Sequence, residues 1–322
     1  MKSTYFGRVN RAIDFIESNL DRNITLEELA EVANFSRFHF HRIFSAATGE
    51  TLFQFIQRVR LERAASLLLQ DTDRPITDIA LDYGFSSSAV FARSFKNNFG
   101  MSASKWRDGG YIEFSKQRKM VSNNSETLRK YGEESPAFLV YLERTTSVLK
   151  WRIQSKGERP MESNVEVREI NDIHVAYIRY VGPYAGDENL FEGLFERLIK
   201  WAAPRGLFTP PDTKILSIYH DDPKITDDEK LRTSVCVTVP ENTIVDGEIG
   251  KTVVKGGKYA VGRFELNADQ YGEAWGAMYQ GWLPESGFQP DDEPPFELYL
   301  NNPKEHPEGK CIVEIWISVK PL

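Results

Sequence analysis

The segment L-E-E-L-A-E-V-A-N-F-S at 26–36 returns as I-T-D-I-A-L-D-Y-G-F-S at 76–86, an offset of 50 residues. Past the serine the offset becomes 51: His41-Arg42-Ile43-Phe44 parallels Ala92-Arg93-Ser94-Phe95, and Gly49 parallels Gly100. Each unit reads as a short apolar-periodic helix, a tight turn and a second amphipathic helix closed by glycine. Thr25 with Glu28 supplies a capping box for the first helix, and Ser36 and Ser86 are natural N-caps for the second ones. The pattern is a helix-turn-helix written twice.

A second repeat occupies 170–319. W-A-A-P-R-G-L-F-T-P-P (201–211) parallels W-L-P-E-S-G-F-Q-P-D-D (282–292) at offset 81, and S-I-Y-H-D-D-P (217–223) parallels E-L-Y-L-N-N-P (297–303) at offset 80. Each copy reads strand, helix, strand, strand. Leu190, Phe191, Leu194, Phe195, Leu198 and Ile199 fall at helical spacing, while the closing strands 233–239 and 312–319 alternate with period two. The expected fold is therefore multidomain. An all-α tandem helix-turn-helix domain over 1–110 precedes an α+β domain of two pseudo-symmetric strand-helix-strand-strand repeats over 161–322. A linker fills 111–160, polar at first, with Gly109-Gly110 just before it and Ser122–Ser125 within it. Inside the linker, Ala137–Glu143 and Ser147–Gln154 suit a short hairpin or a helix equally well by periodicity.

Length agrees: 322 residues suggest two to three domains, and 41% hydrophobic content is enough to bury cores. The net charge of −7 conceals a split, because residues 1–120 sum to +3 and residues 160–322 to −12. No apolar run is long enough to span a membrane, and the N-terminus lacks a signal-peptide core, so a cytoplasmic protein is expected. Cys236 and Cys311 each sit inside an apolar run and read as buried free thiols. No metal and no cofactor is expected.

On a helical wheel, Phe40, Ile43, Phe44 and Ala47 form the apolar stripe of the first unit's second helix, leaving Phe38, His41, Arg42 and Ser45 outward. In the second unit Phe91, Phe95 and Phe99 face in, while Ala89, Ala92, Arg93 and Lys96 face out. Guanidinium groups at mid-helix can read guanine in a major groove, and Phe38 or Ala89 can meet a thymine methyl. The helix starts at Ser36-Arg37 and Ser86-Ser87-Ser88 suit phosphates. Leu52 to about Leu69 reads as one connecting helix of roughly 27 Å. That length would bring the two outward faces to successive major grooves of duplex DNA. Packed helices with merely solvated outer faces are the alternative. Arg58, Arg60 and Arg63 suit a solvated or internally paired face as well as a phosphate contact. Two motifs on one chain permit binding as a monomer or weak dimer.

R-x-x-R-A (60–64), I-x-x-I-A-x-x-x-G-F (76–85), F-x-R-x-F-K (91–96) and G-M-S-A-S-x-W-R (100–107) resemble the AraC/XylS family of transcription regulators. The resemblance covers about residues 8–107 and implies two recognition helices in adjacent major grooves. Ala103 stands where the family usually has proline, and Trp106 where tyrosine is usual.

A duplicated domain has a pseudo-twofold axis, and a groove often opens where the halves meet. Glu297, Tyr299 and Asn301 share one strand face, and Ser217 and Tyr219 hold the equivalent places in the first copy. One carboxylate among aromatic rings suits an organic cation. Tyr184, Trp275, Trp282 and Phe264 are candidate further walls. The alternative is a solvated Glu297 at a strand edge, with the aromatics as plain core.

G-P-Y (182–184), Tyr219-His220-Asp221-Asp222-Pro223, G-G-K-Y-A (256–260) and P-F-E-L-Y-L-N-N (295–302) resemble the GyrI-like small-molecule-binding domain over about 165–320. The resemblance implies that Glu297 lies in a central cleft for hydrophobic, often cationic compounds. An AraC-type reader followed by such a domain is the arrangement of Rob-type regulators. The expectation is a regulator and not an enzyme. Its competitors are a small hydrolase using Glu297 as general base, and a ligand-free interaction surface, for instance for RNA polymerase. Against catalysis, no Ser/His/Asp set or Gly-rich phosphate loop is present, and His174, His220 and His306 are scattered.

Overall fold

The computed structural model describes residues 3–115, 139–145, 148–154, 164–223 and 225–321. The first part is helical: α1 (Ser3–Glu17), α2 (Leu26–Val32), α3 (Arg37–Thr48), α4 (Leu52–Gln70), α5 (Ile76–Asp82) and α6 (Ser88–Phe99). Thr25 and Glu28 form the expected capping box on α2, and Thr51 with Gln54 makes a second one on α4. The two units superpose in sequence down to their turns. Asn34 (φ 52°) and Gly84 (φ 69°) occupy the same left-handed position between the two helices of each motif. Gly49 (φ 74°) and Gly100 (φ 70°) close α3 and α6 in the same way.

The second turn is one residue longer, which is why the offset slips from 50 to 51. Ser87, and not Ser86, is consequently the N-cap of α6, accepting a bond from the Val90 amide. Ser36 holds the N-cap position of α3, but its side chain makes no capping hydrogen bond. Phe40 and Phe44 of one unit and Phe91, Phe95 and Phe99 of the other are buried in a single core on both sides of α4. Trp106 is fully buried against Phe95 and Phe99 and donates to the Ala65 carbonyl at 3.1 Å, tying the end of this part to α4. Arg58 binds Glu50 and Glu62, and Arg60 donates to the Gly84 and Arg22 carbonyls. Both are internally paired.

Most of the expected linker lies outside the described residues. Within it, β1 (Leu139–Thr145) and β2 (Val148–Gln154) form an antiparallel hairpin. The sheet that follows contains β3 (Asn164–Ile170), β4 (Ile173–Val181), β5 (Ile215–Tyr219), β6 (Arg232–Thr238), β7 (Gly250–Val254), β8 (Gly257–Leu266), β10 (Phe296–Tyr299) and β11 (Cys311–Pro321). Its order is β3-β8-β11-β10-β5-β6-β4-β7, and β9 (Phe288–Pro290) pairs with β11 off this path. The copies are β4-α7-β5-β6 and β8-α8-β10-β11, with α7 at Glu188–Ala202 and α8 at Tyr271–Gly276. The strand order reads the same from either end of the twofold axis, which passes between β5 and β10.

Each copy is preceded by a strand that crosses over. β3 comes just before β4 yet pairs with β8, and β7 comes just before β8 yet pairs with β4. The two crossings touch where the Gly256 amide donates to Asp172 at 2.7 Å, and a Cβ on Gly256 would lie 2.8 Å from the Ile170 carbonyl oxygen. This exchange fuses the repeats into one sheet. One face packs on α7 through Leu194 and Leu198, and on α8 and the helical turn after it through Ala274 and Met278. The other face buries Tyr177, Leu216, Ile218, Tyr259, Phe296 and Trp316. Cys236 and Cys311 are buried and unbridged. No helix among the described residues is long and apolar enough to cross a membrane.

Candidate functional site

Two surfaces carry the residues singled out from sequence. On the helical part, Ser36, Arg37, His41 and Arg42 are exposed, as are Ser86, Ser88, Ala89, Arg93 and Lys96. The Phe38 side chain lies outside the described residues. Ser45 departs from the wheel: it is half-buried, with its Oγ withdrawn from solvent, in the last turn of α3 before the chain turns at Gly49 into α4. Ser87 is half-buried because it caps α6. The exposed cations Arg42 and Arg93 stand at the same position of α3 and α6, joined by the 19-residue α4, which is about 28 Å long at 1.5 Å per residue.

The second surface is the sheet face beneath α7 and α8. β5 and β10 are the central pair, and their register places Glu297 directly opposite Ser217. Alternation then sends Phe296 and Leu298 to the far core, and Glu297 and Tyr299 into the gap between the two helices. Glu297 is 2% exposed, so the reading of a solvated edge residue is overturned by its place at the centre of the sheet. Its Oε2 accepts from the Tyr219 and Tyr299 hydroxyls, both at 2.8 Å, and its Oε1 accepts from Trp275 Nε1 at 2.7 Å. All three donors are neutral. No lysine or arginine among the described residues pairs with this carboxylate. Burial pushes its pKa above the ordinary carboxylate range, and the three donors pull it partly back.

Ring faces enclose the carboxylate. Tyr184 lies 5.5 Å from Tyr219, Tyr219 meets Trp275 edge-on at 5.7 Å, Trp275 stacks on Tyr279 at 6.0 Å, and Phe195 meets Tyr299 edge-on at 5.6 Å. Two expected walls are elsewhere. Phe264 is buried in the core under α8, because its position in β8 is two strands from the axis. Trp282 stacks on Phe288 beside β9. Asn301 spans the β10–β11 turn by bonding Lys310 and Ile312. Sequence reasoning missed Phe195, Tyr271 and Tyr279 as cleft residues. The helical stripe containing Phe195 was legible, but read only as core. The cleft opens into a groove of about 3090 Å³, several times the ~300–1,000 Å³ of a single drug-sized pocket. It runs on past Asp222 to Arg63, Ser66 and Gln70 of α4.

Comparison with known proteins separates the same two parts. Residues 29–109 match a family model described as a helix-turn-helix domain, and residues 163–320 match the GyrI-like small molecule binding domain. Residues in the first part are 40% identical over 104 positions to a protein of Proteus vulgaris described as "Probable transcription factor PqrA", covering 32% of this chain and 84% of that one. The second part is 30% identical over 161 positions to the "DNA gyrase inhibitor" of Escherichia coli K12, covering 49% of this chain and 98% of that one. The chain belongs to the AraC-type helix-turn-helix regulators that carry a GyrI-like domain. It is a DNA-binding transcription regulator with a small-molecule-binding module. The AraC-type part is also 42% identical over 103 residues to the HTH-type regulator YbfP of Bacillus subtilis 168, and there the match spans 32% of this chain and only 35% of YbfP. Both motif-bearing faces described above lie within the AraC-type and GyrI-like matches.

Proposed function

We propose that this regulator reads DNA with the outward faces of α3 and α6 and senses a hydrophobic cation in the cleft around Glu297. The observation that carries the sensing half is the carboxylate itself. A buried anion held by three neutral donors lacks a counter-charge, and taking it out of water is costly until one arrives. An aromatic or alkyl ammonium supplies that charge, and the faces of Tyr184, Tyr219 and Trp275 stabilise it through cation–π attraction. Ser217 opposite Glu297 is neutral, so the central strand pair sets one carboxylate at the floor of the cleft, which suits a monocation. The DNA half rests on the exposed Arg42 and Arg93 at matching positions and on the length of α4.

The test is a fluorescence titration of the full chain with benzyltrimethylammonium, with Trp275→Phe as the control for which indole reports. Saturable quenching that Trp275→Phe abolishes supports the reading. Absence of quenching by any aromatic ammonium, or turnover of the added compound, rejects it.

A further inference from the structure

The helical part and the sheet part meet across a buried field of charges that neither the cleft nor the recognition helices use. α1 contributes Asp14 and Glu17. The sheet contributes Arg179 from β4 and Arg232 from β6, each only 1% exposed. Arg179 pairs with Asp14 at 2.9 Å, and the Tyr177 hydroxyl donates to the other oxygen of the same carboxylate at 2.5 Å. Arg232 bonds Glu17 through one nitrogen and Asp221 through its Nε at 2.8 Å, while its guanidinium lies 5.6 Å from the Phe55 ring of α4. Burial alone would raise Glu17, but the charges of Arg232 and Arg179 outweigh it and hold its carboxyl below the usual range.

The contact reaches both helix-turn-helix units. α1 packs on α2 and α3, so Asp14 and Glu17 fix the first unit. At the second unit the Tyr83 hydroxyl, at the end of α5, lies 3.1 Å from both carboxylate oxygens of Asp292. Ile225, in the loop after β5, is buried in the helical core itself. Gly7 of α1 lies so near the Gly247 carbonyl that an added Cβ would be 2.4 Å from its oxygen. Arg42 of α3 and Arg93 of α6 take no part in these contacts and stay exposed.

From this geometry we infer that the sheet domain is a brace: its charge clasp on α1 and its hydrogen bond to α5 fix the two recognition helices relative to each other, and so set affinity for sites that span two major grooves. Guanidinium–carboxylate bonds are directional, and a buried set of them tolerates one arrangement. α4 already holds both units in one apolar core, with Arg60 bonded to the Arg22 carbonyl of one and the Gly84 carbonyl of the other, and the clasp adds a second, charged link between them from outside the helical part. A tethered second motif adds affinity only when its orientation lets both bind together. The clasp therefore acts on two-groove binding and leaves single-groove binding alone. This inference goes beyond the cation-sensing reading and does not rest on it.

The test uses the full chain, a duplex selected from a random pool on the wild-type protein, and a second duplex keeping only half of that site. Affinities are read by anisotropy at low salt, where half-site binding is measurable. Arg232→Met, which keeps side-chain length and removes the charge, should lower affinity for the whole site by about tenfold or more and for the half site by less than about twofold. Glu17→Gln and Tyr83→Phe, milder cuts at opposite ends of the brace, should each give a smaller loss of the same kind. Near-UV circular dichroism establishes that each variant is folded, and if Arg232→Met does not fold, the other two decide. Whole-site affinity unchanged in folded variants, or equal losses on whole and half sites, overturns the brace.

Discussion

Tyr219 and His220 are chain neighbours whose side chains leave the end of β5 on opposite faces of the sheet. The Tyr219 hydroxyl donates to Glu297 in the cleft at 2.8 Å. His220 Nε2 lies 2.9 Å from Ser234 Oγ and 3.3 Å from Arg179 on the interface side, and Asp221 follows as a partner of Arg232. One strand end thus carries both the cleft and the clasp. Filling the cleft with benzyltrimethylammonium should alter amide hydrogen exchange along α1, on the far face. Exchange in α1 that is identical with and without saturating cation contradicts this link.

The buried Glu297 carboxyl titrates above its ordinary 4.5 because burial disfavours the anion. A cation needs the ionised form. Its affinity should therefore be flat at high pH and weaken by up to about tenfold per pH unit once pH falls through the raised value. The ligand-free protein has the opposite linkage: the stability that comes from protonating Glu297 is full below 4.5 and is lost as pH rises through the raised value. Titrations across pH with wild type and Glu297→Gln check both signs, since the variant should show neither dependence.

His220 is kept neutral well below its ordinary 6.5, first by burial and then by the charges of Arg179 and Arg232, with Asp221 opposing. The unfolded chain takes up this proton at 6.5 and the folded chain does not. Stability is therefore intact above 6.5 and falls as pH drops from 6.5 toward the depressed value, by at most about 1.4 kcal/mol per pH unit. Comparing denaturation midpoints of wild type and His220→Gln from pH 7.5 to 5 isolates this one group. A wild-type slope that the variant retains in full would assign the loss to other groups.

Much of this molecule was legible before the structure. The helix-turn-helix repeat survives as residue identities because each turn needs a left-handed residue, Asn34 or Gly84, and each second helix a glycine stop. The strand-helix-strand-strand repeat survives as period, and its offset of 80 made Ser217 and Tyr219 the counterparts of Glu297 and Tyr299; of these, Glu297 and Ser217 also face each other across the axis. What was not legible depends on pairing across the chain. The crossing of β3 and β7 leaves no local pattern, and neither does the strand order that sets Phe264, a candidate wall by sequence, in the core of β8. The extra residue at Ser86 shifted the cap by one place. His220 seemed scattered because its partners, Ser234, Arg179 and Glu17, are brought to it by separate elements.

At the DNA surface, Arg42→Ala and Arg93→Ala should each weaken binding to a selected duplex by about 1–3 kcal/mol if the side chain reads a base, and much less on random duplex. Competition with both duplexes in one salt condition measures the difference. Equal losses on the two would reassign that arginine to phosphate contact.

The central claim about the cleft is that Glu297 selects charge. Isothermal titration of wild type and Glu297→Gln with benzyltrimethylammonium and its neutral isostere neopentylbenzene tests it most directly. The substitution keeps the shape and hydrogen-bonding reach of the side chain while removing its charge. Affinity for the cation should fall by roughly 1.5–3 kcal/mol, the range of an interaction with a charged group, while the neutral compound, which shares the apolar burial, keeps its affinity to within about 0.5 kcal/mol. Equal losses for cation and isostere would make Glu297 a structural tie between β5, β10 and α8, and would contradict the account.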